Sequence, residues 1–123
     1  MNYMQERKTS VEIGKYYEDV AAQFLIDKGY TILKRNYRKK YEGEIDIICQ
    51  RDDNIVFVEV KYRKSVRYGF PREFITYKKQ NRIITVSKYY MMEEYNYDAV
   101  YTYDVIEICN DNINHIENAF FGG

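Results

Sequence analysis

GEIDIICQRDDNIVFVEVKYR, residues 43–63, is the stretch whose pattern decides the fold. Valine, isoleucine and phenylalanine alternate with charged residues on both sides of Arg51-Asp52-Asp53-Asn54, a cluster of turn formers. That period of two predicts a β-hairpin of half-buried strands. A two-residue turn at Asp52-Asp53 sets Asp46 opposite Glu59 and Glu44 opposite Lys61, and a four-residue loop centred there gives the same pairing. Successive strand side chains point to opposite sides. Ile45, Ile47, Cys49, Val56, Val58 and Val60 should therefore share a core face, and Glu44, Asp46, Glu59, Lys61 and Arg63 an ionic one.

Two carboxylates set directly opposite each other repel, an arrangement that paired strands usually avoid. A divalent cation between Asp46 and Glu59 turns that repulsion into coordination by hard oxygen ligands, which suits Mg²⁺ or Mn²⁺. The plainer reading of the same alternation is a solvated hairpin face whose charges keep it soluble.

At 123 residues, 46% hydrophobic and 31% charged, the chain has the size and composition of one domain with one core, expected to span residues 1–123 with a flexible tip at 1–8. Two cysteines are too few for a disulfide framework. Cys49 falls on the core parity of its strand and Cys109 in an apolar run, so both are expected to be buried, reduced thiols of a cytoplasmic protein. No apolar stretch approaches a membrane span, and the N-terminus lacks the apolar segment of a signal peptide. The 15 tyrosines suit stacking on nucleobases, but tyrosine is equally at home in strands, so the count decides nothing.

A net charge of zero conceals an asymmetry. Residues 34–88 hold 15 Lys/Arg against 7 Asp/Glu, whereas residues 89–123 hold 7 Asp/Glu and no Lys/Arg. A basic segment around an acidic pair has the electrostatics of a site that attracts a polyanion yet holds a metal. Neutralisation of the middle by the tail within the fold is the alternative.

Around the hairpin, Thr9-Ser10-Val11-Glu12 forms a capping box, and Ile13, Tyr17, Val20, Ala21, Phe24 and Leu25 recur at helical spacing until Gly29. Glu18 lies on the flank of that apolar stripe beside Gly14, Ala21 and Ala22, small neighbours that let a helix approach a sheet closely. Glu18 can then reach the ionic face, although a lone glutamate is more often plain helix surface. Residues 30–38 predict a first strand leading into the turn Lys39-Lys40-Tyr41-Glu42. Residues 64–71 read as a loop, Phe74-Ile75 as a short apolar contact, and Thr76 as the cap of a second helix running to Met92. Strands at 98–109 and 113–120 follow, joined at Asn110-Asp111-Asn112. The order αβββαββ predicts an α/β sandwich with a central mixed sheet whose first three strands form a meander.

Glu18, then Gly43-Glu44-Ile45-Asp46, then Phe57-Val58-Glu59-Val60-Lys61 resembles the PD-(D/E)XK nuclease signature, with Ile45 in place of its proline. More closely, the chain resembles the YraN-like proteins, small bacterial relatives of archaeal Holliday junction resolvases. The likeness covers almost the whole chain and includes Arg35-Asn36-Tyr37-Arg38, Arg63, Gly69, Lys79, Arg82 and Ile116-Glu117-Asn118-Ala119-Phe120. It implies a restriction-endonuclease-like fold with nuclease-type site residues.

With that resemblance, Asp46, Glu59 and the Val60 carbonyl are expected to hold one Mg²⁺ or Mn²⁺ ion, with Glu18 ligating through water or assisting a second ion. Lys61 is expected to position the attacking water, and Glu44 to steady Lys61 or simply to pair with it across the strands. Lys39, Lys40, Arg63, Lys79 and Arg82 are candidates for phosphate contacts on DNA. His115, the single histidine, has no nearby nucleophile in sequence and reads as a surface or strand-edge residue. Cys49, Cys109 and His115 lack zinc-site spacing, and no P-loop or Rossmann glycine pattern occurs. Two function classes follow: a metal-dependent DNA nuclease, acting on branched or recombination intermediates, and a nucleic-acid-binding or assembly factor that keeps the fold without turnover. Symmetric cutting of a branched substrate would call for a homodimer.

Overall fold

Thr9 caps the first helix as its sequence predicts: its hydroxyl accepts from the Glu12 N–H at 3.1 Å, and the Glu12 carboxylate accepts from the Thr9 N–H at 3.3 Å. Helix α1 (Ser10–Asp27) then leads through Gly29, at φ +96°, into β1 (Thr31–Lys39). There follow β2 (Gly43–Arg51), β3 (Asn54–Arg63), α2 (Tyr77–Glu94), β4 (Val100–Cys109) and β5 (Asn112–Phe120). The computed structural model describes residues 9–63, 75–95 and 98–122. The flexible tip expected at 1–8, the loop at 64–71 and Phe74 lie outside those residues.

The five strands form one sheet in the order β1-β2-β3-β4-β5. Strands β1 to β3 are an antiparallel meander, β3 and β4 are parallel across the α2 crossover, and β4 and β5 form a hairpin. The fold is thus a mixed α/β sandwich of order αβββαββ. The central turn is the two-residue Asp52-Asp53, with Arg51 paired to Asn54 and Asp52 at φ +53°.

Burial corrects the expectation of one core face and one ionic face. Both faces of the hairpin are apolar over most of its length, as a sheet covered by helices on either side requires. Ile47, Cys49, Val56 and Val58 pack with Ala21, Ala22 and Leu25 of α1, whereas Ile48, Ile55 and Phe57 pack with Ile83, Val86, Tyr90 and Met91 of α2. Away from its turn, the hairpin carries ionic side chains only beyond Ile47 and Val58, at the open end: Glu44, Asp46, Glu59, Lys61 and Arg63.

Alternation also fails at one level. Ile45 joins the α2-side cluster although Ile47 lies on the α1 side, and its neighbour Tyr37 contacts Tyr90 of α2 while Arg35 reaches Asp19 of α1. Both strands change parity between these pairs, at the level of Asn36 and Asp46. Asn36 supplies the irregularity, with φ +52°, a left-handed conformation that asparagine tolerates better than most residues.

Candidate functional site

At the end of the sheet where parallel β3 and β4 finish, β2 begins and both helices start, the hairpin opens. The β2–β3 ladder runs from Arg51–Asn54 to Ile47–Val58 in the expected register and then stops. One step further, Asp46 Oδ2 accepts a 2.8 Å hydrogen bond from the Val60 N–H, so a side-chain carboxylate replaces the backbone acceptor. Glu59 is 4% exposed beside it. Burial holds the Asp46 carboxyl well above the usual aspartate range, and hydrogen bonding to Glu59 and its charge push in the same direction, against the Val60 N–H. The half-buried Asp46 and the buried Glu59 form the acidic pair.

Lys79, in the first turn of α2, brings its ammonium 3.2 Å from Glu59 Oε2, a buried oxygen that accepts no hydrogen bond from the described residues. A cation already stands at the pair, and an oxygen ligand is left over. Hard carboxylate oxygens of this kind fit Mg²⁺ or Mn²⁺, which commonly take one or two carboxylates with waters and substrate phosphate completing the shell. Among the described residues, no group of three or more His, Cys, Asp or Glu is gathered for a metal.

Glu18 sits back from the pair, near enough for its charge to act on Asp46. Its Oε1 accepts from Asn36 Nδ2 at 2.8 Å and lies 3.7 Å from the Arg35 guanidinium. The same Asn36 amide donates to Glu44 at 3.1 Å, and Arg38 holds the other Glu44 oxygen at 2.7 Å. Glu44 is therefore bound to β1, and the expected Glu44–Lys61 cross-strand pair does not form, because β2 has left β3 by that level. Lys61 is half-buried and makes no hydrogen bond or ion pair with another described residue.

Arg35, Asn36 and Arg38 stand beside the candidate site residues, a placement that periodicity did not show. They line, with Glu18, Glu44 and Lys15, an open cleft of about 840 Å³ between α1 and β1–β2. Through Arg38 and Glu44 it continues past Lys39 and Tyr41 to Arg82, and beyond Arg82 to Lys78. Helix N-termini add positive partial charge at this end. Lys40 is exposed in the β1–β2 turn. Part of the expected phosphate-contact set is otherwise engaged: Lys39 pairs with Glu93 at 2.8 Å, and Arg63 lies 3.6 Å from the buried Glu107. Two acids of the tail thus neutralise two cations of the middle, as the second reading of the charge asymmetry expects.

His115 lies in β5, an edge strand as expected, but its side chain is not on the surface. Its side chain is 3% exposed, with Nε2 2.7 Å from Asp104 Oδ2 and Nδ1 2.8 Å from Lys28 Nζ. Cys49 and Cys109 are buried and not bonded to each other, and burial, with the Asp104 charge, pushes the Cys49 thiol up to about 12. Cys49 is therefore not a nucleophile at neutral pH.

These features define a mixed α/β sandwich protein with a carboxyl pair at the open end of its sheet and a cation-lined cleft beside it. The chain belongs to the uncharacterised protein family UPF0102, whose model matches residues 17–108. It is 44% identical over 111 residues to a UPF0102 protein of Clostridioides difficile, covering 89% of this chain and 96% of the relative. A UPF0102 protein of Syntrophomonas wolfei is 42% identical over 113 residues, covering 89% and 97%. One from Fusobacterium nucleatum is 36% identical over 111 residues, covering 90% and 92%. No helix among the described residues is long and apolar enough to cross a membrane.

Proposed function

We propose that this chain is a divalent-metal-dependent nuclease that hydrolyses DNA phosphodiester bonds, with branched or recombination intermediates as its substrate class and a restriction-endonuclease-like site. The observation that carries the reading is the Asp46–Glu59 pair at the open end of the sheet, with a raised Asp46 carboxyl and a Glu59 oxygen held only by the ion pair to Lys79 among the described residues. Asp46, Glu59 and the Val60 carbonyl would hold Mg²⁺ or Mn²⁺. The ion, when bound, orients a water, lowers its pKa and neutralises charge on the scissile phosphate.

The protein's own residues then have separate tasks. The Val60 N–H fixes the rotamer of Asp46. Lys61 positions the attacking water and balances the charge developing on the phosphate, as a compact ammonium suits. Asn36 and Arg35 hold Glu18 within range to ligate through water. Exposed Lys40, Lys78 and Arg82, with Arg38, track the phosphate backbone and position it without reading sequence. A substrate with two-fold character would be met by two copies of the chain.

One observation favours a binding factor without turnover: Glu18 and Glu59 both already hold cationic or amide partners. Retention of a four-way junction in EDTA with no cleavage in Mg²⁺ or Mn²⁺ supports that second reading. Metal-dependent products lost in Asp46→Asn support the first.

A further inference from the structure

On the opposite flank of α1 from the basic cleft, Tyr17 stacks on Tyr62 of β3 with ring centroids 4.5 Å apart and planes 11° from parallel. Tyr16 meets Tyr17 edge-on at 5.1 Å. These rings line a cleft of about 480 Å³, whose rim also includes Arg63, Ser10 and Asn110. Tyr62 has one ring face covered by Tyr17 and is still 41% exposed; Tyr16 is 52% exposed. Buried tyrosines that merely seat a helix on a sheet would be covered. Here the stack ends in solvent, beside polar groups.

Its place in the chain ties it to the acidic pair. Tyr17 precedes Glu18, and Tyr62 follows Lys61. Along an extended strand, three residues from Glu59 to Tyr62 span about 10 Å; Glu59 faces α2 and Tyr62 faces α1, so a nucleic-acid strand meets both by crossing the open end of the sheet. A polyanion drawn to the cations at this end, and carrying flat aromatic rings, is a nucleic acid. Aromatic side chains stack on any base, because every base has a π-face.

We propose that the Tyr17–Tyr62 stack is a platform for one unpaired nucleobase next to the scissile phosphate. This inference rests on the nuclease reading and narrows it to strands with an unstacked base at the cleavage position, such as flaps, single strands and branch points. A base inside an intact duplex is already stacked on its neighbours and must be extruded before it can use the platform.

The test is fluorescence of 2-aminopurine, placed singly at successive positions of a flapped oligonucleotide and bound to the full chain in EDTA. Quenching is expected at one register position only, preserved in Tyr62→Phe and lost in Tyr62→Leu and Tyr62→Ala. Leucine keeps apolar packing against α1 but has no π-face, so it separates stacking from a structural role. Affinity for the flap should fall about tenfold in Tyr62→Leu with affinity for intact duplex unchanged. Absence of any quenched position in the native chain, or Tyr62→Leu behaving as Tyr62→Phe, overturns the platform. Cleavage in Mg²⁺ or Mn²⁺ is read separately: products without a quenched position reject the platform and leave the nuclease standing. A quenched position without products rejects the nuclease and the platform's place beside a scissile phosphate, and leaves a base-binding stack.

Discussion

Asp46 Oδ2 accepts its hydrogen bond from the Val60 N–H at 2.8 Å, at the step where β2 stops pairing with β3. That bond anchors the carboxyl against Glu59, and burial with the Glu59 contact raises its pKa. A carboxyl raised in the folded state binds its proton more tightly than in the unfolded chain. Its contribution to stability is present below the ordinary aspartate value and is lost as pH rises toward the raised one. In EDTA, the native chain should lose Tm between about pH 5 and about pH 8, whereas Asp46→Asn, uncharged throughout, should lose less. Mg²⁺ should restore the native Tm at the upper end only. Thermal melts that run parallel for the two proteins would reject the assignment.

Lys79 occupies the acidic pair as a built-in cation, 3.2 Å from Glu59 and 44% exposed. Its partial exposure limits the attraction to about 1 kcal/mol or less. Lys79→Ala should lower stability slightly in EDTA and tighten Mn²⁺ binding about two- to fivefold, because the metal no longer competes with an ammonium. Calorimetric titration with Mn²⁺ measures this. Weaker Mn²⁺ binding in Lys79→Ala would mean that Lys79 supports the site rather than competing for it.

Asn36 joins helix to hairpin by donating to both Glu18 and Glu44 from a left-handed backbone. Asn36→Gly keeps the conformation, and Asn36→Ala strains it by about 1 kcal/mol, or about 4 °C in Tm. Both lose the amide that orients Glu18. Cleavage should therefore fall about tenfold or more in either variant, with Tm separating them. Full activity in Asn36→Gly would show that Glu18 needs no such orientation.

Asp104 and His115 lock β5 onto β4, each with a side chain 3% exposed. The remaining Asp104 oxygen accepts from the Asn118 N–H at 3.0 Å, at φ +51°, where the β4–β5 register shifts. His115→Ala strands a buried carboxylate and should destabilise the chain by about 3 kcal/mol in urea unfolding. Asp104→Asn, which preserves shape, should cost less. A loss below about 1 kcal/mol in His115→Ala would show that water satisfies Asp104 there.

The hairpin register, the Thr9 capping box and the helix faces were legible because each rests on local spacing. Asp52-Asp53 alone sets Ile47 opposite Val58. What spacing could not show is the end of that register at Asp46, where Asn36 turns left-handed and both strands change parity. A single asparagine in a strand pattern is too weak a signal for that, so Ile45 was placed on the wrong side and Glu44 with the wrong partner. The partners of Lys79 and His115 are hidden from the sequence for a different reason. Their partners, Glu59 and Asp104, are distant in sequence and meet them only through the parallel crossover and the final hairpin. The proximity of Asp46 to Glu59 survived because the side-chain bond to Val60 took over where the ladder stopped.

The measurement that bears most directly on the central claim is cleavage of labelled linear, single-stranded, flapped and four-way-junction DNA in Mg²⁺ or Mn²⁺. The native chain is compared with Asp46→Asn and Lys61→Ala. Metal-dependent products in the native chain, reduced at least about a hundredfold in both variants, are the predicted result. Junction binding without products from any substrate would contradict it, and would leave the acidic pair as a binding feature rather than a catalytic one.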